Sequence, residues 1–216
     1  FGEQEPGIDY DVEDPLFDFN VLVTGYEPFL DNAVNPAQGV AVSLNGTCDI
    51  VYLDQPRTMR LCYEGVSVPV TTEGSSWAAR KLTEDPTRWD GIIHLGSPCI
   101  LPTTAPVSFL DLRDLAALLE DCGHADLVSM ETWSRDAGAY YCNEMFYRTL
   151  HAIRDLGAPT VDGSSLIPAS TKALAMFIHL PDKEVMDLDD MALMVQFVSQ
   201  NIMLGTVGLL PESCRR

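Results

Sequence analysis

Two side chains of this sequence, Cys142 and His179, have the types and positions that nucleophilic catalysis requires. Cys142 lies near the start of a helix predicted over residues 136–156, where aligned backbone N–H dipoles can favour a thiolate. His179 lies where a predicted strand ends before Pro181, at the edge where the sites of α/β proteins collect. A thiolate and an imidazole together can attack an acyl carbon and move a proton. Taken alone, each residue is more typical of a structural role, as a small buried thiol or a hydrogen-bonded histidine.

The common nucleotide, metal and serine-hydrolase motifs are absent from the sequence. It contains no GxxxxGK[ST], no GxGxxG after a strand, no CxxC, no HExxH and no GxSxG. The triplet Cys122-Gly123-His124 lacks the paired spacing that a zinc site needs. We therefore expect no metal and no cofactor.

Alternating strand and helix patterns must position the two candidate residues. Short apolar runs predict buried strands over residues 17–25, 50–53, 65–70, 91–95 and 173–180. Helical patterns lie between the strands, over residues 36–44, 75–83, 111–120, 136–156 and 187–203. Asn35 and Pro36 supply an N-cap and a favoured first-turn proline for the first of these helices. The alternation predicts an α/β fold, with three α/β/α layers and a mainly parallel central sheet.

Length and charge limit the classes of partner. The chain has 216 residues, of which 46% are hydrophobic, so one domain can bury a sizeable core. Thirteen basic and 32 acidic residues give a formal net charge of −19. Such a chain repels nucleic-acid phosphates and anionic membranes, so neither is an expected partner. No apolar run approaches the ~20 residues that a membrane-spanning helix needs.

The acidic residues are concentrated at the beginning of the chain. Residues 1–20 hold seven of them and no lysine or arginine. We interpret residues 1–16 as a solvated acidic arm and residues 17–216 as a single α/β/α domain. A docking peptide for a basic partner is the alternative interpretation of the arm.

Three segments together resemble a known family. Residues 21–29 read VLVTGYEPF and precede Asn35-Pro36, residues 134–143 read SRDAGAYYCN, and residues 177–181 read FIHLP. In this order and at compatible spacing, they resemble the VLVTGFEPFGG…NP opening, the SxxAGxYxCN nucleophile segment and the FIHxP histidine segment of pyroglutamyl peptidase I. This family is also called pyrrolidone-carboxylate peptidase. The resemblance covers roughly residues 18–205.

The resemblance implies a cysteine peptidase that removes an N-terminal pyroglutamyl group from small peptides. Cys142 would be the nucleophile. His179 would be the general base and then the acid for the leaving amine. Tyr26 and Phe29 match the aromatic positions that form the wall beside the lactam ring. The implied fold is the α/β/α layering that the strand and helix patterns also predict.

One segment departs from the family pattern. The family completes a catalytic triad with a glutamate, but residues 97–119 contain none, and the matching position is Pro106. Leu30 and Asp31 also replace the glycine pair of the family's opening segment. A Cys–His dyad could work with reduced power, or another acid such as Asp111 or Glu73 could supply the missing role. The rival hypotheses are a non-catalytic or repurposed secreted binding protein, and an amidase or acyl transferase that uses Cys142.

Five cysteines remain once Cys142 is set aside as the nucleophile. Cys48 and Cys62 flank adjoining strand patterns and could form a bridge. Cys99 and Cys122 bracket the divergent loop and the helix after it, and could form a second bridge. The last cysteine lies in the C-terminal tail. The sequence does not fix this connectivity.

The cellular compartment is predicted from the same residues. Asn45-Gly46-Thr47 is a glycosylation sequon, and the chain starts at Phe1 rather than at a methionine. With two disulfides, these features favour a secreted protein. The first residue fits either removal of a leader or a trimmed sequence. Six reduced thiols in a cytoplasmic protein are the alternative. The sequence leaves the oligomeric state open.

Overall fold

A five-stranded, mainly parallel sheet is the central layer of the structure. The computed structural model describes residues 15–29, 34–53, 58–96, 141–157, 173–181, 183–184 and 186–206. The strands are β1 (Phe17–Tyr26), β2 (Cys48–Tyr52), β3 (Thr58–Val68), β4 (Gly91–Gly96) and β5 (Leu174–His179). Their order across the sheet is β2-β3-β1-β4-β5, and only the edge strand β2 is antiparallel to its neighbour. The predicted mainly parallel sheet is confirmed.

Helices cover both faces of the sheet. The helices of the described ranges are α1 (Pro36–Leu44), α2 (Thr72–Glu84), α3 (Tyr141–Gly157) and α4 (Leu188–Thr206). Helices α1 and α4 pack on one face, where Val21 and Val23 of β1 are fully buried. Helices α2 and α3 pack on each other and on the other face, where Leu22 is buried. Because side chains alternate along a strand, one strand contributes to both cores. The predicted α/β/α layering is thus confirmed.

Strand β3 is longer than the sequence pattern predicted. It begins at Thr58 rather than near residue 65. Its first half alternates between the buried side chains of Met59, Leu61 and Tyr63 and more accessible residues between them. This period-2 pattern is a strand signal, but charged residues within it obscure the apolar run. The predicted helix over residues 111–120 lies outside the described residues.

The predicted cap of α1 is confirmed. The side chain of Asn35 accepts a hydrogen bond from the backbone N–H of Ala37 at 3.0 Å, and Pro36 begins the helix. This bond satisfies one of the orphan N–H groups of the first turn. The cap also fixes where α1 starts after the segment that follows β1.

Two glycines let α1 lie close to the sheet. A Cβ atom built on Gly25 would overlap the carbonyl group of Ala37, and one built on Gly65 would overlap the carbonyl of Ala41. The two glycines lie on the neighbouring strands β1 and β3, on the face that α1 covers. Larger residues at either position would push the helix off the sheet.

A disulfide joins the edge strand to the sheet. Cys48 of β2 and Cys62 of β3 are register partners with a Cα–Cα distance of 4.1 Å, and their sulfur atoms are bonded. This is the first of the two bridges that the sequence allowed. The second proposed pair, Cys99 and Cys122, lies outside the described residues, as do residues 1–14 of the predicted acidic arm. Within the described ranges, no helix is both long enough and apolar enough to cross a membrane.

Candidate active site

Three parallel strands end together at one edge of the sheet. Tyr26 ends β1, Gly96 ends β4 and His179 ends β5. Gly96 and His179 are direct register partners. The carboxyl ends of parallel strands are where open α/β sheets bind ligands, because the loops that leave them form a crevice. The fold therefore brings the predicted histidine to the expected edge.

Cys142 lies directly over this edge. It is in the first turn of α3, its side chain is a thiol, and the residue is 6% exposed. A Cβ atom built on Gly96 would lie 3.1 Å from Cys142 Sγ and 2.8 Å from Phe177 Cζ. Only a glycine at the end of β4 leaves room for the sulfur at this place. Gly96 thus contacts the thiol and pairs with the strand residue His179.

His179 is held against an aromatic ring at the rim of the site. Its ring centroid lies 4.8 Å from that of Phe177, and the residue as a whole is exposed. Partial burial lowers the pKa of His179 below its usual value of 6.5. A lowered pKa keeps the imidazole neutral near pH 7, which is the form that accepts a proton.

No carboxylate of the described ranges is hydrogen-bonded to His179. Glu73, one of the two acids considered from the sequence, is exposed in the first turn of α2. Asp111, the other, lies outside the described residues, and so does Pro106 at the family's glutamate position. The third member of a triad therefore stays an open prediction.

A second histidine lies beneath the site, and sequence reasoning missed its role. His94 of β4 is fully buried, with Nδ1 2.7 Å from Thr24 Oγ1 and Nε2 3.0 Å from Thr149 Oγ1. Thr149 belongs to α3, so the imidazole links the helix that carries Cys142 to strands β1 and β4. Burial lowers the pKa of His94 to about 3, which leaves the ring neutral. The available signal was a lone histidine inside the apolar strand GIIHLG.

The two predicted substrate-binding aromatics have different surroundings. Tyr26 is 3% exposed and packs in one cluster with Cys142, Met145 and Phe146. Its hydroxyl donates a hydrogen bond to the carbonyl oxygen of Tyr141 at 2.7 Å. Phe29, beyond the strand end, is 42% exposed. Their role beside a substrate ring stays a prediction. Of the two side chains, Phe29 has much the larger surface accessible to a substrate.

Metal ligands were not expected from the sequence. Within the described ranges, no group of three or more histidine, cysteine, aspartate or glutamate side chains could hold a metal ion. The chemistry that this part of the chain presents is that of a thiol and an imidazole.

Two known proteins are similar to this chain in sequence. The chain is 28% identical over 196 residues to the pyrrolidone-carboxylate peptidase of Halalkalibacterium halodurans, across 78% of this chain and 92% of that protein. It is 25% identical over 206 residues to the pyrrolidone-carboxylate peptidase of Oceanobacillus iheyensis, with the same shares covered. Both of these similar proteins are named pyrrolidone-carboxylate peptidase. The resemblance predicted from three sequence segments is therefore confirmed.

Two solved structures also match the chain, both at low sequence identity. The pyrrolidone carboxyl peptidase of Thermococcus litoralis has 20% identity and a TM-score of 0.46, with 76% of each chain covered. The pyrrolidone carboxyl peptidase of Thermus thermophilus has 20% identity and a TM-score of 0.45, with 78% of this chain and 88% of that chain covered. No protein-family model matches the chain.

Proposed function

We propose that this chain is a cysteine hydrolase that releases an N-terminal pyroglutamyl group, or a similar small acyl group, from peptides. The observation that carries the proposal is the position of Cys142 Sγ over Gly96, whose register partner is His179. The nucleophile thus lies beside the end of β4, and the proton carrier ends the neighbouring strand β5. Its relatives are named pyrrolidone-carboxylate peptidases, which supports this substrate class.

The proposed reaction has two halves. In the first, the neutral imidazole of His179 takes the thiol proton, and Cys142 Sγ forms a bond with the amide carbonyl carbon. First-turn N–H groups of α3 stabilise the resulting oxyanion. The C–N bond then breaks, the imidazolium gives its proton to the departing amine, and a thioester remains on the enzyme.

In the second half, water takes the place of the amine. His179 removes a proton from the water as its oxygen attacks the thioester carbon. The C–S bond breaks, the acid product leaves, and the sulfur recovers its proton from the imidazolium. The products are a free amine and a carboxylic acid, so the two-step reaction balances without an oxidant, a reductant or a metal.

The reaction can proceed without a glutamate partner for His179, at reduced power. The third member of such a triad orients the imidazole and stabilises the imidazolium, but it takes no proton itself. Contact with the tilted ring of Phe177, at a centroid distance of 4.8 Å, supplies part of that orientation. We therefore propose a Cys142–His179 dyad.

Hydrolysis of pyroglutamyl-aminocoumarin tests the proposal. We expect release of aminocoumarin by the unaltered protein and none above the uncatalysed rate by Cys142→Ala. His179→Ala should lose about 10²- to 10⁴-fold in rate, the usual contribution of a general base. His151→Ala is the matched control, because His151 is exposed on α3 and pairs with Asp155; its rate should not change. No turnover by the unaltered protein would reject the peptidase in favour of a binding protein on the same fold. Equal turnover by Cys142→Ala would reject Cys142 as the nucleophile.

We also propose that the protein is secreted. A disulfide between Cys48 and Cys62 supports this proposal, because such bonds persist in oxidising compartments. Mass spectrometry of peptides prepared without reduction from the natural source should recover these two cysteines as a linked pair. Recovery of both as reduced thiols would contradict secretion and favour the cytoplasmic alternative.

A further inference from the structure

The Tyr26 hydroxyl touches the backbone next to the proposed nucleophile. It donates its hydrogen bond to the carbonyl oxygen of Tyr141, the residue immediately before Cys142. Tyr26 lies 115 residues earlier in the chain, at the end of β1, so the bond links the sheet to the first turn of α3. Burial, with a smaller contribution from the nearby Cys142, raises the pKa of Tyr26 above its usual value of 10. The hydroxyl therefore stays a donor throughout the physiological pH range.

This hydrogen bond constrains the peptide group that joins Tyr141 to Cys142. The carbonyl of Tyr141 and the N–H of Cys142 belong to one planar peptide unit, so holding one fixes the direction of the other. This part-buried O–H···O bond is 2.7 Å long, the ordinary length of a well-formed hydrogen bond between two oxygens. The bond thus limits rotation of the first turn of α3 about its own axis.

We propose that Tyr26 is a positioning residue that holds the Tyr141–Cys142 peptide plane and so aims both the thiol and the Cys142 N–H at the substrate. This role rests on the proposed function of Cys142. It differs from the role that the resemblance implies, which concerns only the ring face beside the substrate.

The variant Tyr26→Phe tests the proposal, because it removes one oxygen and keeps the ring. We expect kcat on pyroglutamyl-aminocoumarin to fall about 5- to 20-fold with KM changed less than twofold. We also expect a change in the pH dependence of Cys142 alkylation by iodoacetamide. The rate of alkylation is measured at each pH by mass spectrometry of the Cys142 peptide. The pH of half-maximal rate should rise by about 0.5, since less well aligned N–H groups favour the thiolate less.

Tyr63→Phe is the matched control. Tyr63 is also 3% exposed, and its hydroxyl donates to Asp49 Oδ2 at 2.9 Å, on the opposite face of the sheet. The free energy of unfolding of Tyr63→Phe should fall by about 1 kcal/mol for one hydrogen bond, much as in Tyr26→Phe. Its kcat and alkylation profile should not change.

Three results would overturn the positioning role. They are an unchanged kcat and alkylation profile in Tyr26→Phe, an increased KM with kcat retained, or equal losses of kcat in both tyrosine variants. The alkylation profile needs no substrate. It therefore tests the position of Cys142 even if the unaltered protein hydrolyses no pyroglutamyl peptide, a result that would reject the proposed function alone.

Discussion

Replacement of Gly96 by alanine should lower kcat/KM on pyroglutamyl-aminocoumarin about 100-fold and leave the protein folded. The added Cβ would lie 3.1 Å from Cys142 Sγ and 2.8 Å from Phe177 Cζ, so the thiol and the ring must both move. The Phe177 ring also contacts His179, with the two ring planes tilted by 55°, so one methyl group disturbs both members of the dyad. A misplacement of about 1 Å between reacting groups costs on the order of 10²-fold in rate.

Gly91→Ala provides the control for this change. Gly91 begins the same strand but faces α4, and its added Cβ would lie 2.7 Å from Met203 Cε, the movable end of a flexible side chain. We expect Gly91→Ala to lose about 1–3 kcal/mol of unfolding free energy, as overpacked cores do, and to keep its kcat/KM. Wild-type kcat/KM in Gly96→Ala would show that catalysis does not depend on the position of Cys142 Sγ beside Gly96.

The second large effect is a loss of stability in mild acid that depends on His94. In the unfolded chain, the imidazole binds a proton as the pH falls below 6.5, whereas burial holds the folded-state pKa at about 3. The unfolded state therefore binds more protons between these two values, and the free energy of unfolding falls as the pH is lowered. The full contribution is present above pH 6.5, and its slope reaches about 1.4 kcal/mol per pH unit.

Urea denaturation at pH 7, 6, 5 and 4 measures this slope. His94→Gln has no titrating group at this position, so the difference between its slope and that of the unaltered protein isolates His94 from the many surface carboxylates. We expect the unaltered protein to lose about 2–3 kcal/mol more than His94→Gln between pH 6 and pH 4. Parallel slopes for the unaltered protein and His94→Gln would contradict the neutral buried imidazole.

Local pattern made Cys142 and His179 candidates, at a helix start and a strand end. The resemblance of three ordered segments then selected them, because each residue alone is more typical of a structural role. Neither that resemblance nor local pattern revealed the contacts of Gly96, Tyr26 and His94. Their importance comes from contacts with residues far away in the chain, which local sequence patterns do not encode.

The sequence by itself determined the elements and their types. Continuous apolar runs specify β1, β4 and β5 as buried strands, and Asn35 with Pro36 specifies the start of α1, because these signals act through neighbouring residues. Only the tertiary structure decided the order of the strands. That order places the end of β4 beside the end of β5 and under α3, and so brings Cys142 over Gly96. It also decided that His94 is buried and neutral, because its burial and both of its hydrogen bonds depend on α3 and β1, elements remote from it in sequence.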